Sequence, residues 1–388
     1  MKLFVILSRV PFPLEKGDKL RAFNQIKELS KNHQIILFAL NDSVLDDRAM
    51  AELKKYCVAI SILKFSKITI FFNLLRAFFN GLPLQVGYFY FNKAQRKIDE
   101  LIKKHHPDHI YCQLIRTSEY VKKYPTIPKT LDYMDVFSKG MERRKKIDAF
   151  YMKPFLMMEF RRLLRYERKV FSLFNNKVII SEQDKNLIPH PNKQDIVVVP
   201  NGVDTSYFKP LQHKKEYELL FNGNMNYPPN IESVEYLVEK VMPYVWKKLP
   251  ATCLLISGAS PNAKVLNLAS DKVIVSGWVD DIRNNFAMSK VLVAPMQISI
   301  GLQNKLLEAM AMQIPCITSS LANNALGARV NDQILVADTP EQYARHIIDL
   351  LQNEDRAKQI GLSGYQFVLN KYNWESTTAI LSQLMSKK

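Results

Sequence analysis

The sequence predicts an α/β protein with two Rossmann-like halves, each built on a doubly wound parallel sheet. Short apolar segments alternate with segments of helical periodicity through the first half of the chain. An Asn201-Gly202 turn follows an apolar strand near the middle, and the same alternation restarts after it. Strands that alternate with helices form parallel sheets, because each helix returns the chain to the same edge. We expect one domain over residues 1–198, a second over 199–370, and a closing helical segment over 371–388.

In the first half, a strand over residues 2–7 precedes a proline-rich loop over 10–18. Leu20, Phe23 and Ile26 recur at helical spacing and predict a helix over 19–32. The remaining apolar segments predict strands over residues 34–40, 58–63, 109–112, 130–133, 177–180 and 196–199.

In the second half, the pattern predicts strands over residues 217–221, 252–257, 272–276, 291–294, 316–318 and 334–336. Helical patterns lie near 230–249, 281–288, 304–312 and 340–351, and the last runs over 374–385. In open parallel sheets, ligands bind beyond the carboxyl ends of the strands. The loops that follow these strands are therefore where we expect a site.

The composition is that of a folded protein without structural metal or disulfides. A length of 388 residues suffices for two domains, and a hydrophobic share of 47% is ordinary. The four cysteines lie far apart, without the Cys and His spacing of a zinc site, so a reducing cytoplasm fits. The N-terminus predicts a buried strand instead of a signal peptide. No apolar run reaches the roughly 18 residues that a spanning helix needs.

The net charge of +17 implies an anionic partner, whether nucleic acid, an anionic membrane surface or a polyanionic substrate. Residues 139–177 interleave many lysines and arginines with aromatic and long aliphatic side chains, which is typical of an interfacial helix. A surface helix with its apolar face in the core of its domain explains the same pattern. Residues 68–79 are aromatic, and a bilayer-docking surface or a pocket for a lipid tail would explain them. A core helix explains them too and is the interpretation that the sequence favours.

The segment over residues 301–311 is the most informative one, because a loop enters a helix there through Gly301. The free N–H groups and the positive end of a helix suit an anionic group such as phosphate. Lys305 and Glu308 are three residues apart and share one helix face. A cation for a diphosphate beside a carboxylate for ribose hydroxyls fits a nucleotide. An ordinary amphipathic helix with a surface ion pair explains the same spacing.

Three other stretches precede the segment over 301–311 in a specific order: residues 199–204 with Phe208 and Pro210, then 221–230, then 275–280. Together the four stretches resemble the retaining GT-B glycosyltransferases, which use nucleotide sugars. The resemblance implies two Rossmann-like domains that face an interdomain cleft, with the donor bound by the second. The donor-binding residues that it implies there are Asn224, Trp278, Val279, Gly301, Leu302, Gln303, Asn304, Lys305 and Glu308.

The first half resembles the acceptor domain of a subgroup of bacterial sugar transferases, through residues 9–13, 17–21 and 132–138. On this basis Gly17 lets the backbone approach the diphosphate or the sugar of the donor closely, and Arg21 reaches the diphosphate. Asp132 and Asp135 orient or polarise the acceptor hydroxyl, so the catalytic set is these two aspartates with Lys305. Ordinary roles remain open for each: a loop glycine, a solvated arginine, and helix-capping carboxylates. The tail over 372–374 is similar to the start of the family's last helix, which crosses back to the first domain.

The chain also departs from the family pattern. Ile300 stands where many relatives have a sugar-contacting glutamate, the loop over residues 224–230 has no cation for the diphosphate, and Gln313 replaces a usual glycine. Lys305 then carries more of the diphosphate charge. Relatives with a lysine-type donor motif often lack the first glutamate, so these departures leave the donor sugar open more than the activity.

The resemblance thus implies sugar transfer from a UDP- or GDP-linked donor to a lipid-linked or polysaccharide glycan acceptor, with retention. We expect no cofactor and no metal, since no Asp-x-Asp signature occurs. We expect a cytoplasmic protein that is peripheral on the inner face of the cytoplasmic membrane, with an anionic membrane surface as a partner. Three alternatives stay open: a nucleotide- or glycan-binding scaffold of the same fold without turnover, a GT-B sugar-nucleotide epimerase, and a nucleic-acid-binding protein. The last rests on charge alone, because no RNA- or DNA-binding module is recognisable, and we expect no nucleic-acid partner.

Overall fold

The computed structural model describes residues 1–14, 16–42, 44–147, 150–298 and 301–386, without the side chains of 143–147 and 150. The chain forms two compact units. The first comprises Met1–Pro200 and Trp374–Lys388, and the second comprises Asn201–Asn373.

The first unit contains a seven-stranded parallel sheet in the order β3-β2-β1-β4-β5-β6-β7. Its strands are β1 Lys2–Leu7, β2 Gln34–Asn41, β3 Cys57–Lys64, β4 His109–Gln113, β5 Lys129–Asp132, β6 Asn176–Ile179 and β7 Val197–Val198. Its α-helices, before the chain leaves this unit, are α1 Gly17–Leu29, α2 Asp47–Lys54, α3 Lys67–Phe79, α4 Leu84–Gly87, α5 Asn92–His105, α6 Phe137–Ile147, α7 Lys153–Phe171 and α8 Glu182–Leu187. Short 3₁₀ segments lie at Ile115–Val121, Phe150–Met152 and Lys193–Asp195.

Both faces of this sheet are buried, which explains why its central strands are continuously apolar. Successive side chains of a strand point to opposite faces. Phe4 and Ile6 accordingly lie in one hydrophobic cluster, and Leu3 and Val5 lie in the other.

The second unit contains a six-stranded parallel sheet in the order β10-β9-β8-β11-β12-β13. Its strands are β8 Tyr217–Asn222, β9 Leu254–Ser257, β10 Val273–Gly277, β11 Ser289–Ala294, β12 Cys316–Thr318 and β13 Leu335–Val336. Its α-helices are α9 Pro228–Tyr236, α10 Met242–Lys248, α11 Ala263–Leu266, α12 Ile282–Met288, α13 Asn304–Ala311, α14 Ser320–Leu326, α15 Pro340–Gln352 and α16 Glu354–Lys371. A π-helical turn, Leu237–Val241, joins α9 to α10.

The last helix, α17 (Trp374–Ser386), belongs to the first unit and packs against α1. Leu381 and Met385 of α17 are buried in the same cluster as Ile26 and Leu29 of α1. The α/β class with two parallel sheets is as predicted, and no described helix is long and apolar enough to cross a bilayer.

The basic segment over residues 139–177 and the aromatic segment over 68–79 differ in how much of their apolar surface is buried. In the basic segment, α7 buries Leu156, Leu163 and Val170 in the core, so the core-facing interpretation holds for this helix. Residues 148–149 of that segment lie outside the described residues. The favoured core interpretation of residues 68–79 is wrong, because Ala77 is the only buried residue of α3. The sequence could not show this, since a helix that is apolar on most sides has no obvious inner face.

Candidate functional site

The loops that follow β8, β9 and β10 are hydrogen-bonded to one another at the carboxyl edge of the second sheet. The Gly223 N–H donates to the Ser257 carbonyl at 3.0 Å, and the Gly258 N–H donates to the Gly277 carbonyl at 3.0 Å. The Met225 N–H donates to the Ala259 carbonyl at 2.8 Å. Three crossover loops therefore form one connected backbone surface where ligands bind in sheets of this class.

Two glycines allow this close packing. Gly258 has φ of +137°, and a Cβ on it would lie 1.8 Å from the Gly223 carbonyl oxygen. A Cβ on Gly223 would lie 3.1 Å from Nζ of Lys305 and 2.6 Å from Nδ2 of Asn230. The backbone of the loop after β8 therefore lies directly against the ammonium group of Lys305, on α13.

Lys305 is held inside the unit by polar and aromatic contacts. The side chain is only 7% exposed, Nζ donates to Oδ1 of Asn230 at 2.7 Å, and Nζ lies 4.3 Å from the centre of the Phe221 ring. Burial lowers the pKa of Lys305 to about 7, against the opposing charge of Glu308. The alternative of a surface ion pair with Glu308 is therefore wrong, since the ammonium is buried and binds Asn230.

Glu308 lies one turn further along α13 and is half-buried. Burial raises its pKa to about 7, although the positive charge of Lys305 acts in the opposite direction. Among the described residues, no donor hydrogen-bonds to its carboxylate. A desolvated carboxylate without a protein partner is suited to accept hydrogen bonds from ligand hydroxyls.

The start of α13 offers backbone donors. The helix begins after Gln303, and no side chain of the described residues caps its N-terminus. Gly301 has φ of +83°, and Nε2 of Gln303 donates to the Gly301 carbonyl at 3.2 Å. Leu302, Gln303 and Asn304 are half-buried. Ile300, the position for which the resemblance implied a missing glutamate, lies outside the described residues. Uncapped N–H groups beside a cation give an anion-binding geometry.

Asn230 is the residue of this site that the sequence reasoning missed. It is buried, and its amide joins the first loop to α13, because Nδ2 donates to the Asn224 carbonyl at 2.9 Å while Oδ1 accepts from Lys305. The Asn224 side chain is exposed and accepts the Asn226 N–H at 2.9 Å. A contact between the Asn224 side chain and the donor, as predicted, would have to compete with this hydrogen bond to Asn226.

Trp278 and Val279 follow β10, where Gly277 has φ of +68°. The Trp278 ring is 68% exposed, and Val279 is half-buried. A large ring is costly to leave in water unless something stacks on it. Its predicted role beside a nucleobase stays a prediction.

In the first unit, the structure places Arg21 and Asp132 in one buried pair. Both are 0% exposed, and Nε of Arg21 lies 2.6 Å from Oδ2 of Asp132. The Tyr111 hydroxyl lies 2.8 Å from the same carboxylate oxygen, and Gln25 Nε2 lies 3.3 Å from it. Arg21 also donates to the Val199 carbonyl at 2.9 Å. This network ties α1 to β5, so these two residues have the geometry of a structural ion pair, and their substrate roles stay predictions.

Gly17 and Asp135 have more open surroundings. Gly17 begins α1, and a Cβ on it would meet no atom within 4 Å. Asp135 is half-buried, and its Oδ1 accepts the Val136 N–H at 2.7 Å, which is turn chemistry of the kind considered above. Neither observation tests the role that the resemblance assigns to these residues.

A second group of charges, in the segments that follow β1 and β4 of the first unit, was not predicted. The Arg116 guanidinium lies 5.1 Å from the centre of the Phe89 ring and 4.8 Å from that of Phe137, and its buried Nε has no hydrogen-bond partner among the described residues. Burial, with the charge of Arg9 next, lowers the pKa of Arg116 to about 10. Arg9 itself pairs with Asp18 at 2.8 Å. No local spacing could reveal this group, because its members come from separate loops.

Metal binding has no evident site in the part of the chain that is described. No group of three or more histidine, cysteine, aspartate or glutamate side chains is placed to hold an ion there. The donor set in the second unit, an ammonium, backbone N–H groups and one carboxylate, suits a phosphorylated sugar or nucleotide.

Comparison with known proteins agrees with this chemistry. Residues 216–353 match the family model of the glycosyl transferases group 1. The chain is 23% identical over 394 residues to an uncharacterized 44.6 kDa protein in the cps region of Klebsiella pneumoniae, covering 96% of each. It is 24% identical over 212 residues to a GDP-mannose-dependent alpha-(1-6)-phosphatidylinositol monomannoside mannosyltransferase of Mycobacterium tuberculosis, covering 48% of this chain and 54% of that relative. The solved structure of Anabaena Alr3699/HepE in complex with UDP superposes with a TM-score of 0.69 at 11% identity, covering 100% of both chains. The fold is thereby confirmed as GT-B.

Proposed function

We propose that this chain, whose residues 216–353 belong to the glycosyl transferases of group 1, transfers a sugar from a nucleotide sugar to a glycan acceptor. The observation that carries the proposal is the buried Lys305 ammonium beside the start of α13, with the Glu308 carboxylate one turn away. Within the described part of the chain, no side chain caps that helix start and no donor binds that carboxylate. These groups match a diphosphate and a ribose, respectively.

Transfer requires that the leaving diphosphate be stabilised while it gains negative charge. Lys305 and the N–H groups of residues 302–304 would supply this stabilisation without rearranging, because Asn230 and the Phe221 ring already hold the ammonium in place. The negative diphosphate raises the pKa of Lys305, so the ammonium is charged in the complex. Loss of one such donor typically lowers the rate by about 10²–10³-fold.

For the donor we propose a UDP- or GDP-linked sugar. Support comes from the UDP bound in the HepE structure and from the GDP-mannose dependence of the mycobacterial relative. For the acceptor we propose a lipid-linked or polysaccharide glycan intermediate, in line with the relative from a cps region and the phosphatidylinositol-linked acceptor named for the mycobacterial one. Half-buried Asp135 and the Arg116 group of the first unit are our candidates for acceptor contacts.

We carry retention of anomeric configuration and independence of metal over as parts of the proposal. NMR of the product distinguishes a retained from an inverted anomer. Chelation by EDTA should leave the rate unchanged, since the charge that a metal would supply is assigned to Lys305 and the helix end.

The test is release of nucleoside diphosphate from a panel of UDP- and GDP-sugars, with and without glycan acceptors. Wild-type protein should release one nucleotide selectively, and Lys305→Met should lower that rate by at least about 10²-fold. Lys290→Met is the matched control, because Lys290 is an exposed lysine of neighbouring β11 that pairs with Glu218 at 3.4 Å. Nucleotide binding without any turnover would replace the proposal with the scaffold alternative, and base-preserving isomerisation of the free donor would replace it with the epimerase.

A further inference from the structure

Helix α3 presents an apolar stripe to solvent. Ile68, Phe71, Phe72, Leu75 and Phe79 recur at intervals of three and four residues, so they share one helix face. They are 70%, 62%, 61%, 45% and 77% exposed. Surface helices of globular proteins normally turn such a stripe inward, and a contiguous exposed stripe marks an interaction surface.

The opposite face shows that α3 is firmly seated. A Cβ on Gly87 of α4 would lie 2.2 Å from Cβ of Ala77, so the two helices touch with no room for a larger residue. Ser66 caps the N-terminus through the Thr69 N–H, and Arg162 of α7 donates to the Phe78 carbonyl at 2.9 Å. Because both ends and the inner face are fixed, the outward stripe is a feature of the folded unit.

The segment of chain that carries the stripe is positively charged, and Glu119 lines the pocket beside Arg76. Residues 53–98 contain eight lysines and arginines and no aspartate or glutamate. Lys67 and Arg76 lie on α3 itself, and both are exposed. Glu159 of α7 is buried, and its carboxylate accepts the N–H groups of Leu84 and Gln85, so it is occupied at the start of α4. Aromatic and aliphatic side chains with flanking cations complement an anionic lipid surface.

We propose that α3 docks the protein on an anionic membrane leaflet, with the stripe in the acyl boundary and Lys67 and Arg76 among the phosphate headgroups. A helix of 13 residues is about 20 Å long, too short to span a bilayer and suited to lie in its plane. Docking would place the proposed sugar transfer at a membrane surface. It rests on the proposed function in one respect, since a membrane-attached acceptor is the reason for docking.

The experiment is flotation of the full chain with vesicles of phosphatidylcholine alone or mixed with phosphatidylglycerol. Wild-type protein should float with the anionic vesicles, less so at high salt. The double variant Phe71→Ser/Phe72→Ser should bind about a hundredfold more weakly, at roughly tenfold for each aromatic ring kept from the apolar phase. Leu362→Ser is the matched control, because Leu362 is 50% exposed on α16 of the second unit, and it should float like wild type.

The nucleotide-induced rise of the unfolding temperature is measured on the same samples, so a failure of docking is distinguished from a failure of nucleotide binding. Equal flotation of the double variant and wild type would overturn the proposal, and so would wild-type protein that stays unbound. A concentration-dependent dimer that the double variant abolishes, without vesicle binding, would assign the stripe to a second copy of the chain instead.

Discussion

Replacement of Lys305 by methionine should stabilise the ligand-free protein against unfolding and weaken nucleotide binding. Burial lowers the pKa of this lysine from 10.5 to about 7. The difference of about 3.5 units disfavours the charged form by about 5 kcal/mol at 1.36 kcal/mol per unit. The unfolded chain keeps this proton up to a higher pH than the native chain does. The unfavourable contribution of Lys305 to stability should therefore shrink as the pH rises from about 7 to 10.5.

At pH 8, one unit above the native pKa, a cost of about 3 kcal/mol remains by the same conversion. Methionine has a similar length and removes that cost, but it leaves Oδ1 of Asn230 without its donor, which costs about 1–2 kcal/mol. We expect the empty variant to be more stable by about 1–2 kcal/mol, with an unfolding midpoint a few degrees higher.

Binding should change in the opposite direction. A hydrogen bond from a charged donor contributes about 1.5–3 kcal/mol, so UDP or GDP should bind about 10–100-fold more weakly to the variant. Thermal unfolding without ligand and titration calorimetry with each nucleotide measure the two effects, with Lys290→Met as the control that changes neither. A variant that is less stable than wild type and binds nucleotide unchanged would refute the reasoning, since Lys305 would then be a structural group.

Three further outcomes follow from the same contacts. Glu308→Gln should weaken UDP or GDP about tenfold by calorimetry and leave inorganic pyrophosphate unaffected, because the carboxylate is assigned to ribose hydroxyls. Arg21→Met should lower the free energy of unfolding in urea by about 3–5 kcal/mol, because it leaves Asp132 buried without its partner charge. The affinity for nucleoside diphosphate should fall by up to tenfold per pH unit above about 7, because Lys305 must take up a proton to bind.

Each of these has its own check. Equal losses of UDP and pyrophosphate affinity in Glu308→Gln would place the carboxylate at the diphosphate. Arg21→Met combined with Asp132→Leu should recover part of the lost stability, and no recovery would mean that the pair is not coupled. A pH profile that is flat between 7 and 9, or one that stays steep in Lys305→Met, would remove Lys305 as the titrating group.

The architecture was largely predictable because local periodicity determines it. The strand expected over 2–7 is β1 (Lys2–Leu7), and the helix expected over 304–312 is α13 (Asn304–Ala311). Both depend on side-chain patterns within one element, which the sequence displays directly. The loop glycine at 301 and the positions of Lys305 and Glu308 on the helix after it follow from the same local pattern.

Contacts between distant elements were not predictable. The partner of Lys305 is Asn230, on another helix 75 residues away, and the partner of Arg21 is Asp132, 111 residues away. Only the fold brings these groups together, so the sequence reasoning placed Arg21 in solvent or at a ligand when it is buried. The direction in which α3 faces was hidden for a related reason, since an apolar stripe has the same period whether it points to a core or to a membrane.

The measurement that tests the central claim most directly is thermal unfolding of wild type and Lys305→Met against UDP, GDP, ADP, CMP and their common sugar adducts. A ligand at about a hundred times its dissociation constant stabilises the native state by about 2.7 kcal/mol, which raises the midpoint by several degrees. A rise with one nucleotide in wild type that is absent in Lys305→Met is the predicted result. No rise with any nucleotide, or an equal rise in both proteins, would contradict a nucleotide-sugar site at Lys305.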